Sequence, residues 1–288
     1  MQTPFNSILN LLIEAPGSII YHLALGFAIV SSLQGALISR QSRKDSLSNR
    51  LAIGLGMLFL GQAVLFLSSG LAWQNVIEER IFLPTLDRAI MLYSLVWLVW
   101  LWAFPAPAKL GDLVTGFLNL GVVILFLFSY TSWGQENAFQ HFNNTWIDQM
   151  WELAELILVI TGMAILLFSQ PAGWGFGLGM FALILAGTVA HLLLAAPDKD
   201  YSSYMRLGQL VAFPLLPTLL NRLGSPAKAF ASAAPDEKMK VVQVPFPRTH
   251  ERRRFSADPR TIHAWIALIK VTDPEQILNG VTKALAHT

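Results

Sequence analysis

The chain has 288 residues and a mass of 31.9 kDa; 54% of its residues are hydrophobic, only 13% are charged, and its mean hydropathy is +0.51. A soluble domain carries about 25% charged residues, so a chain this apolar is expected in a membrane and not as a cytosolic globular enzyme. A net charge of only +2 argues against a nucleic-acid-binding face, and the absence of cysteine excludes disulfides, thiolate metal sites, iron–sulfur clusters and cysteine nucleophiles.

Residues 1–16 lack the basic start of a signal peptide and place Phe5, Ile8, Leu9 and Leu12 on one helical face, which predicts an interfacial helix. A bilayer core about 30 Å thick takes roughly 20 apolar residues per helix. Seven stretches meet that length, at 17–39, 51–73, 82–104, 112–132, 151–169, 174–196 and 202–222. The expected fold is therefore an all-α membrane protein, a bundle of seven transmembrane helices over residues 17–222.

Gly54, Gly56 and Gly61 in the second stretch, and Gly173, Gly175, Gly177 and Gly179 entering the sixth, predict close helix approach. The glycine run has no preceding strand and no phosphate-seeking lysine, so it is not a nucleotide fingerprint. Pro214 and Pro217 predict a kink in the seventh stretch. Trp73, Trp133, Trp146, Trp151 and Tyr201 fall near predicted boundaries, where aromatic rings form an interfacial belt.

Basic residues set the orientation. Arg40, Arg43, Lys44 and Arg50 lie in the first connection, Lys109 in the third, and eleven more from Arg222 onward, sixteen of the twenty on one side. The opposite side holds Arg80, Arg88, Lys199 and Arg206, and the connection from Trp133 to Met150 has none. Cytoplasmic loops retain Lys and Arg, so the amino terminus is expected outside and the carboxy-terminal tail in the cytoplasm of a bacterial inner or plasma membrane.

Ionisable residues inside the spans are costly in hydrocarbon and normally face a bundle interior or a wet cavity. They are His22, Asp87, Arg88, Glu152, Glu155, His191 and Arg206. Most lie about five residues, roughly 7–8 Å, inside the outer end of their helix, so they form a ring beneath the outer surface. Glu152 and Glu155 share a face, with Gln149 one turn earlier. Asp87 and Arg88 diverge by about 100°, so only one is expected to point fully inward unless the other snorkels. Asp87 or Glu155 is expected to pair with Arg206. The ring reads either as a site for a small extracytoplasmic ligand, anionic or hydrogen-bonding, or as a structural polar network that fixes helix register. A haem held by His22 and His191 is a lesser alternative. No metal or cofactor is expected, because Glu152 and Glu155 lack histidine partners at metal-ligand spacing.

Residues 223–258 read as a cytoplasmic linker, with Ser225, Pro226, Pro235, Pro245 and Pro247 replacing the apolar runs. Arg252, Arg253 and Arg254 form either a solvated charge run or a contact with anionic headgroups. Residues 259–288 read as two short helices, begun by Asp258-Pro259 and Asp273-Pro274. Their stripes are Ile262, Trp265, Ile266 and Ile269, then Ile277, Leu278, Val281, Ala284 and Leu285. Such a short segment cannot bury a core alone, so it is expected to pack on a second copy, giving a homodimer through the tail, or on a following domain.

The charged first connection, the third-span ending Trp100-Leu101-Trp102-Ala103-Phe104-Pro105 and the tail sequence Asp273-Pro274-Glu275-Gln276-Ile277-Leu278-Asn279-Gly280-Val281 resemble the seven-helix sensor region of bacterial histidine kinases. The last segment is similar to the entry helix of a GAF domain, truncated or absent here. The resemblance implies a sensory input region of a two-component system. No phosphoacceptor box or ATP lid is present, and His250-Glu251 sits in a proline-flanked linker before three arginines, so the chain itself is not expected to be an enzyme. A retinal receptor is excluded by the lack of lysine in 202–222. A transporter is disfavoured by the lack of an internal repeat, and a channel by the lack of polar residues through the inner half. What remains is a sensory membrane region that signals through its last helix and tail to a cytoplasmic effector. The alternative is a non-catalytic structural subunit in a larger membrane assembly. The expected partners are the lipid bilayer, a second copy and a small ligand, with no nucleic acid.

Overall fold

The computed structural model describes residues 4–13, 17–43, 45–136 and 140–223. The expected linker beyond Leu223 and the helical segment 259–288 lie outside the described residues. Helix α1 (Pro4–Leu11) precedes α2 (Gly17–Arg43), α3 (Ser46–Trp73), α4 (Glu79–Ala103) and α5 (Lys109–Glu136). A 3-10 turn, Phe142–Asn144, leads into α6 (Trp146–Ser169), followed by α7 (Trp174–Leu194), α8 (Ser203–Ala212) and a 3-10 helix, Phe213–Leu223. No strand occurs among the described residues. Six helices, α2 to α7, are long and apolar enough to cross a membrane.

Two elements differ from the sequence reading in instructive ways. Helix α6 starts at Trp146, five residues before the expected span, because Thr145 caps it: its Oγ1 accepts a hydrogen bond from the Asp148 N–H at 3.2 Å. The seventh stretch is not one α-helix. Pro214 and Pro217 remove two N–H donors from the ladder, and beyond Ala212 the chain tightens into the 3-10 helix, so the expected kink is a change of winding.

Helix α4 is central, packed on α3, α5 and α6. Nearly every residue from Leu83 to Ala103 is buried, and this corrects the expectation for Asp87 and Arg88. A helix with neighbours all round buries adjacent positions, and both side chains are 0% exposed. Helix α5, by contrast, packs on α4 and leaves Leu113, Phe117, Leu120, Ile124 and Leu127 exposed along one stripe, the spacing of a lipid-facing surface. The main core gathers Leu25, Ile29, Leu55, Trp102, Phe181 and Phe213 from α2, α3, α4, α7 and the last segment.

Small residues bring backbones together at some of the expected glycines. A Cβ on Gly54 would meet Leu101 at 2.5 Å, one on Gly61 would meet Tyr93 at 2.9 Å, and one on Gly177 would meet Trp102 at 2.7 Å. Gly56, Gly175 and Gly179 face open space instead. Gly173 serves as the cap before α7, in the left-handed region at φ 74°. Backbone meets backbone at Gly187 and Gly208, where a Cβ on Gly187 would lie 2.8 Å from the Tyr204 carbonyl oxygen and 3.0 Å from the Gly208 Cα.

The amino-terminal helix is docked against the rest of the bundle. Leu9 and Leu12 are buried, Leu12 within the main core, while Ile8 and Leu11 are exposed. The belt reading fits Trp73, 81% exposed, and Trp146, 49% exposed, but Trp133 and Trp151 are fully buried. Trp133 donates from Nε1 to the Arg80 carbonyl at 2.7 Å and packs edge-on against Phe142.

At the carboxy-terminal end of α4, two arginines close the bundle. Arg222 donates to the carbonyls of Leu101 (2.9 Å), Trp102 (3.0 Å) and Ala172 (2.6 Å), and its guanidinium lies over the Trp102 ring. Arg50 forms a two-pronged pair with Asp112, at 2.8 and 3.1 Å, and donates to the Phe104 carbonyl. Trp100 Nε1 donates to the same Asp112 carboxylate at 2.8 Å. The carbonyls of a last helical turn have no intrahelical partner, and these arginines supply one.

Candidate functional site

The opposite end of α4 holds the polar cluster. The cap at Thr145 fixes the start of α6, so Asp148, Glu152 and Glu155 follow at spacings of four and three on one face, and all three are buried. Helix α7 contributes His191 from its last turn, α4 contributes Asp87 and Arg88, and α8 contributes Arg206 from its first turn.

These side chains form a continuous chain of contacts. Arg206 Nη2 donates to Asp87 Oδ1 at 3.0 Å, and Asp87 Oδ2 lies 3.7 Å from Arg88 Nη1. Arg88 Nε donates to Asp148 Oδ1 at 2.6 Å. Asp148 Oδ2 lies 3.3 Å from His191 Nε2, and Glu152 Oε1 lies 3.2 Å from the same nitrogen. Arg88 Nη2 reaches His191 Nε2 at 3.2 Å and donates to Asn143 Oδ1 at 2.9 Å. Four helices are thus linked by groups that are each nearly or wholly excluded from the surface.

The connections on either side are clasped together. Asn143 Nδ2 donates to the Tyr201 carbonyl at 3.1 Å, and its backbone N–H donates to the Lys199 carbonyl. Asp200 accepts from the Phe142 N–H at 2.8 Å and faces His141 Nδ1 at 3.2 Å. Arg206 is held twice more: Nη1 donates to the Leu12 carbonyl at 2.7 Å, and the guanidinium lies between the rings of Tyr21 and Tyr201. Tyr21 donates to Gln209 Oε1 at 2.7 Å. Burial pushes the Tyr201 phenol up, with Glu79 beside it adding to the shift. A cavity of about 290 Å³ is lined here by residues including Asn143, His191, Lys199, Tyr201 and Tyr204.

All seven ionisable residues expected in the spans are buried. Asp87, Arg88, Glu152, His191 and Arg206 are joined by the contacts above, although Asp87 Oδ2, Arg88 Nη1, His191 Nδ1 and Arg206 Nε have no hydrogen-bond partner among the described residues. His22 Nδ1 and Glu155 Oε1 have no hydrogen-bond partner among the described residues. His22 packs its ring against Tyr21, whereas His191 Nε2 faces the Asp148 and Glu152 carboxylates, an arrangement that gives no support to a haem between the two histidines.

Sequence reasoning missed Asp148, which makes the shortest ion pair of the cluster. A signal was present: Thr145-x-x-Asp148 is a capping pattern, and Asp148, Glu152 and Glu155 continue one helical face. The histidine that Glu152 lacks in local sequence is His191, brought in by α7. Asp148, Glu152 and His191 offer one ligand atom each, all within 4.8 Å of one another, a grouping able to hold a metal ion. No family model matches the chain, and no significant match to a curated protein or a solved structure is found.

Proposed function

We propose that this chain is the membrane-embedded input region of a bacterial signal-transduction protein. It has seven crossings, the amino terminus outside and the tail in the cytoplasm, and it passes an extracytoplasmic or membrane signal to a cytoplasmic effector. In this reading it carries no catalytic centre of its own. One observation carries the proposal: the buried contact chain ends on Arg206, at the start of the segment that leads into the tail. A change in the cluster therefore bears directly on that segment. Its α-helical and 3-10 parts together span about 37 Å at their usual rises, enough for a seventh crossing. The basic residues at the Arg50 and Arg222 end support the orientation, and the loose resemblance to kinase sensor regions supports the role.

The absence of cysteine allows clean labelling at introduced sites. Gln41 and Asn221 are exposed near the same end of the bundle. Spin labels at Gln41→Cys and Asn221→Cys, in the full chain in lipid nanodiscs, report the position of the last segment against α2. Glu152→Gln, at the far end of the bundle, is expected to shift the distance on the order of 1–2 Å, the size of a helix displacement. An unchanged distance in a folded variant would favour the structural-subunit reading. Labelling of Asp198→Cys from outside the cell, with Gln41→Cys and Asn221→Cys reached only after lysis, is expected from the proposed orientation; the reverse pattern would overturn it.

A further inference from the structure

We propose that Asp148, Glu152 and His191 form a binding site for a first-row divalent transition metal, with Zn²⁺ as the reference ion, and that occupancy acts on α4 through Arg88. Two of the three donor–donor edges already have the right spacing, and all three ligand atoms lie within 4.8 Å of one another. Metal–ligand bonds of about 2.0–2.2 Å place neighbouring donors of a tetrahedral site about 3.3–3.6 Å apart, and those of an octahedral site about 2.8–3.1 Å apart. The edges from His191 Nε2 to Asp148 Oδ2 and Glu152 Oε1 are 3.3 and 3.2 Å.

The hydrogen bonds around His191 Nε2 close only with an added proton on a facing carboxylate or an added metal cation. That nitrogen faces two carboxylate oxygens and the Arg88 Nη2 donor at 3.2 Å. As an N–H it opposes the guanidinium. As a lone pair it accepts from Arg88 and leaves two carboxylate oxygens facing another acceptor. A metal ion satisfies all three ligand atoms at once.

The charge balance accommodates a metal. The buried cluster contains four carboxylates, Asp87, Asp148, Glu152 and Glu155, against two guanidiniums, Arg88 and Arg206. Neutrality in this region, where uncompensated charge is expensive, takes either two protons, on Glu152 and Glu155, or one divalent cation in their place. One supporting contact fits a ligand set as well, while His191 Nδ1 has no hydrogen-bond partner among the described residues. Arg88 Nε holds Asp148 by Oδ1 and leaves Oδ2 free to face the metal, the usual way an outer partner orients a ligating carboxylate. His191 also lines the 290 Å³ cavity, so a further coordination position can be taken by water or a small anion.

Metal binding has a defined mechanical consequence. Arg88 Nη2 cannot stay directed at a nitrogen that gives its lone pair to a metal, so it withdraws onto Asn143 Oδ1, which it already holds at 2.9 Å. Its other arm lies 3.7 Å from Asp87, the partner of Arg206. This last step rests on the sensory reading; the binding step does not.

The test is a calorimetric titration of the full chain in nanodiscs, carrying no polyhistidine tag, with Zn²⁺. The parent is expected to bind one equivalent, and Glu152→Gln and His191→Gln are each expected to weaken binding at least about tenfold. His141→Gln, at a histidine outside the triad, is expected to bind like the parent. No binding to the parent, or parent-like binding by both triad variants, overturns the proposal. Should the variants fail to fold, X-ray absorption on the Zn²⁺-loaded parent decides: one imidazole with carboxylate oxygens supports the site, and a shell of several imidazoles overturns it. A bound metal that leaves the Gln41–Asn221 distance unchanged would defeat the sensory reading alone. A distance that responds to Glu152→Gln in a chain that binds no metal would defeat the metal site alone.

Discussion

The two ends of α4 use arginine in opposite ways. At the carboxy-terminal end, Arg222 and Arg50 are tied to backbone carbonyls and to a single carboxylate, Asp112, which is 44% exposed. Those contacts complete helix ends and stay close to solvent. At the Asp87 end, Arg88 and Arg206 are fully enclosed, carboxylates outnumber them, and polar atoms including Glu155 Oε1 and Arg206 Nε have no partner among the described residues. A network built only for stability would be expected to satisfy its members, since a half-satisfied polar network is worse than an apolar core. The contrast teaches that buried charge with incomplete pairing marks the end where function is to be sought, since an unpartnered polar atom alone, Trp102 Nε1, occurs at the other end too.

The contrast can be broken by substitution. Arg206→Ala leaves Asp87 buried, with only Arg88 at 3.7 Å, and is expected to cost about 3–5 kcal/mol in reversible detergent unfolding. Gly187→Ala drives a Cβ into the backbone of α8 and is expected to cost about 1–3 kcal/mol in the same assay. At the other end, Arg222→Ala exposes the freed α4 carbonyls to a half-open surface, and a loss of about 1–2 kcal/mol is expected. Arg50→Lys keeps the charge but loses the two-pronged geometry with a half-exposed Asp112, and should cost about 1 kcal/mol or less. A larger loss at Arg50 than at Arg206 would erase the distinction between the two ends.

Much of the Asp87 end could be read from sequence, because an ionisable residue inside an apolar run is expensive and so stands out. Asp87, Arg88, Glu152, His191 and Arg206 were visible in that way. Asp148 was not, since the hydropathy window began at Trp151 and left the capped first turn of α6 in the preceding connection. Nor could sequence decide which side of a helix meets protein and which meets lipid. Trp133 and Trp151 sit at span ends like Trp146 yet are buried, and Gly175 and Gly179 face open space while Gly177 receives the Trp102 ring. The central place of α4 is a property of packing order, and it is what lets Asp87 and Arg88 both turn inward. The change of winding after Ala212 followed from two prolines that were visible, although their form as a 3-10 helix was not.

The most direct test of the coupling claim is the Gln41–Asn221 spin-label distance in Asp87→Leu/Arg206→Met protein, recorded with and without Glu152→Gln. Replacing a buried pair by apolar side chains is often neutral or stabilising, so the bundle is expected to remain folded. If the pair is the link between the cluster and the last segment, the distance in the double variant no longer responds to Glu152→Gln. A response as large as in the parent would contradict the account and place the link elsewhere.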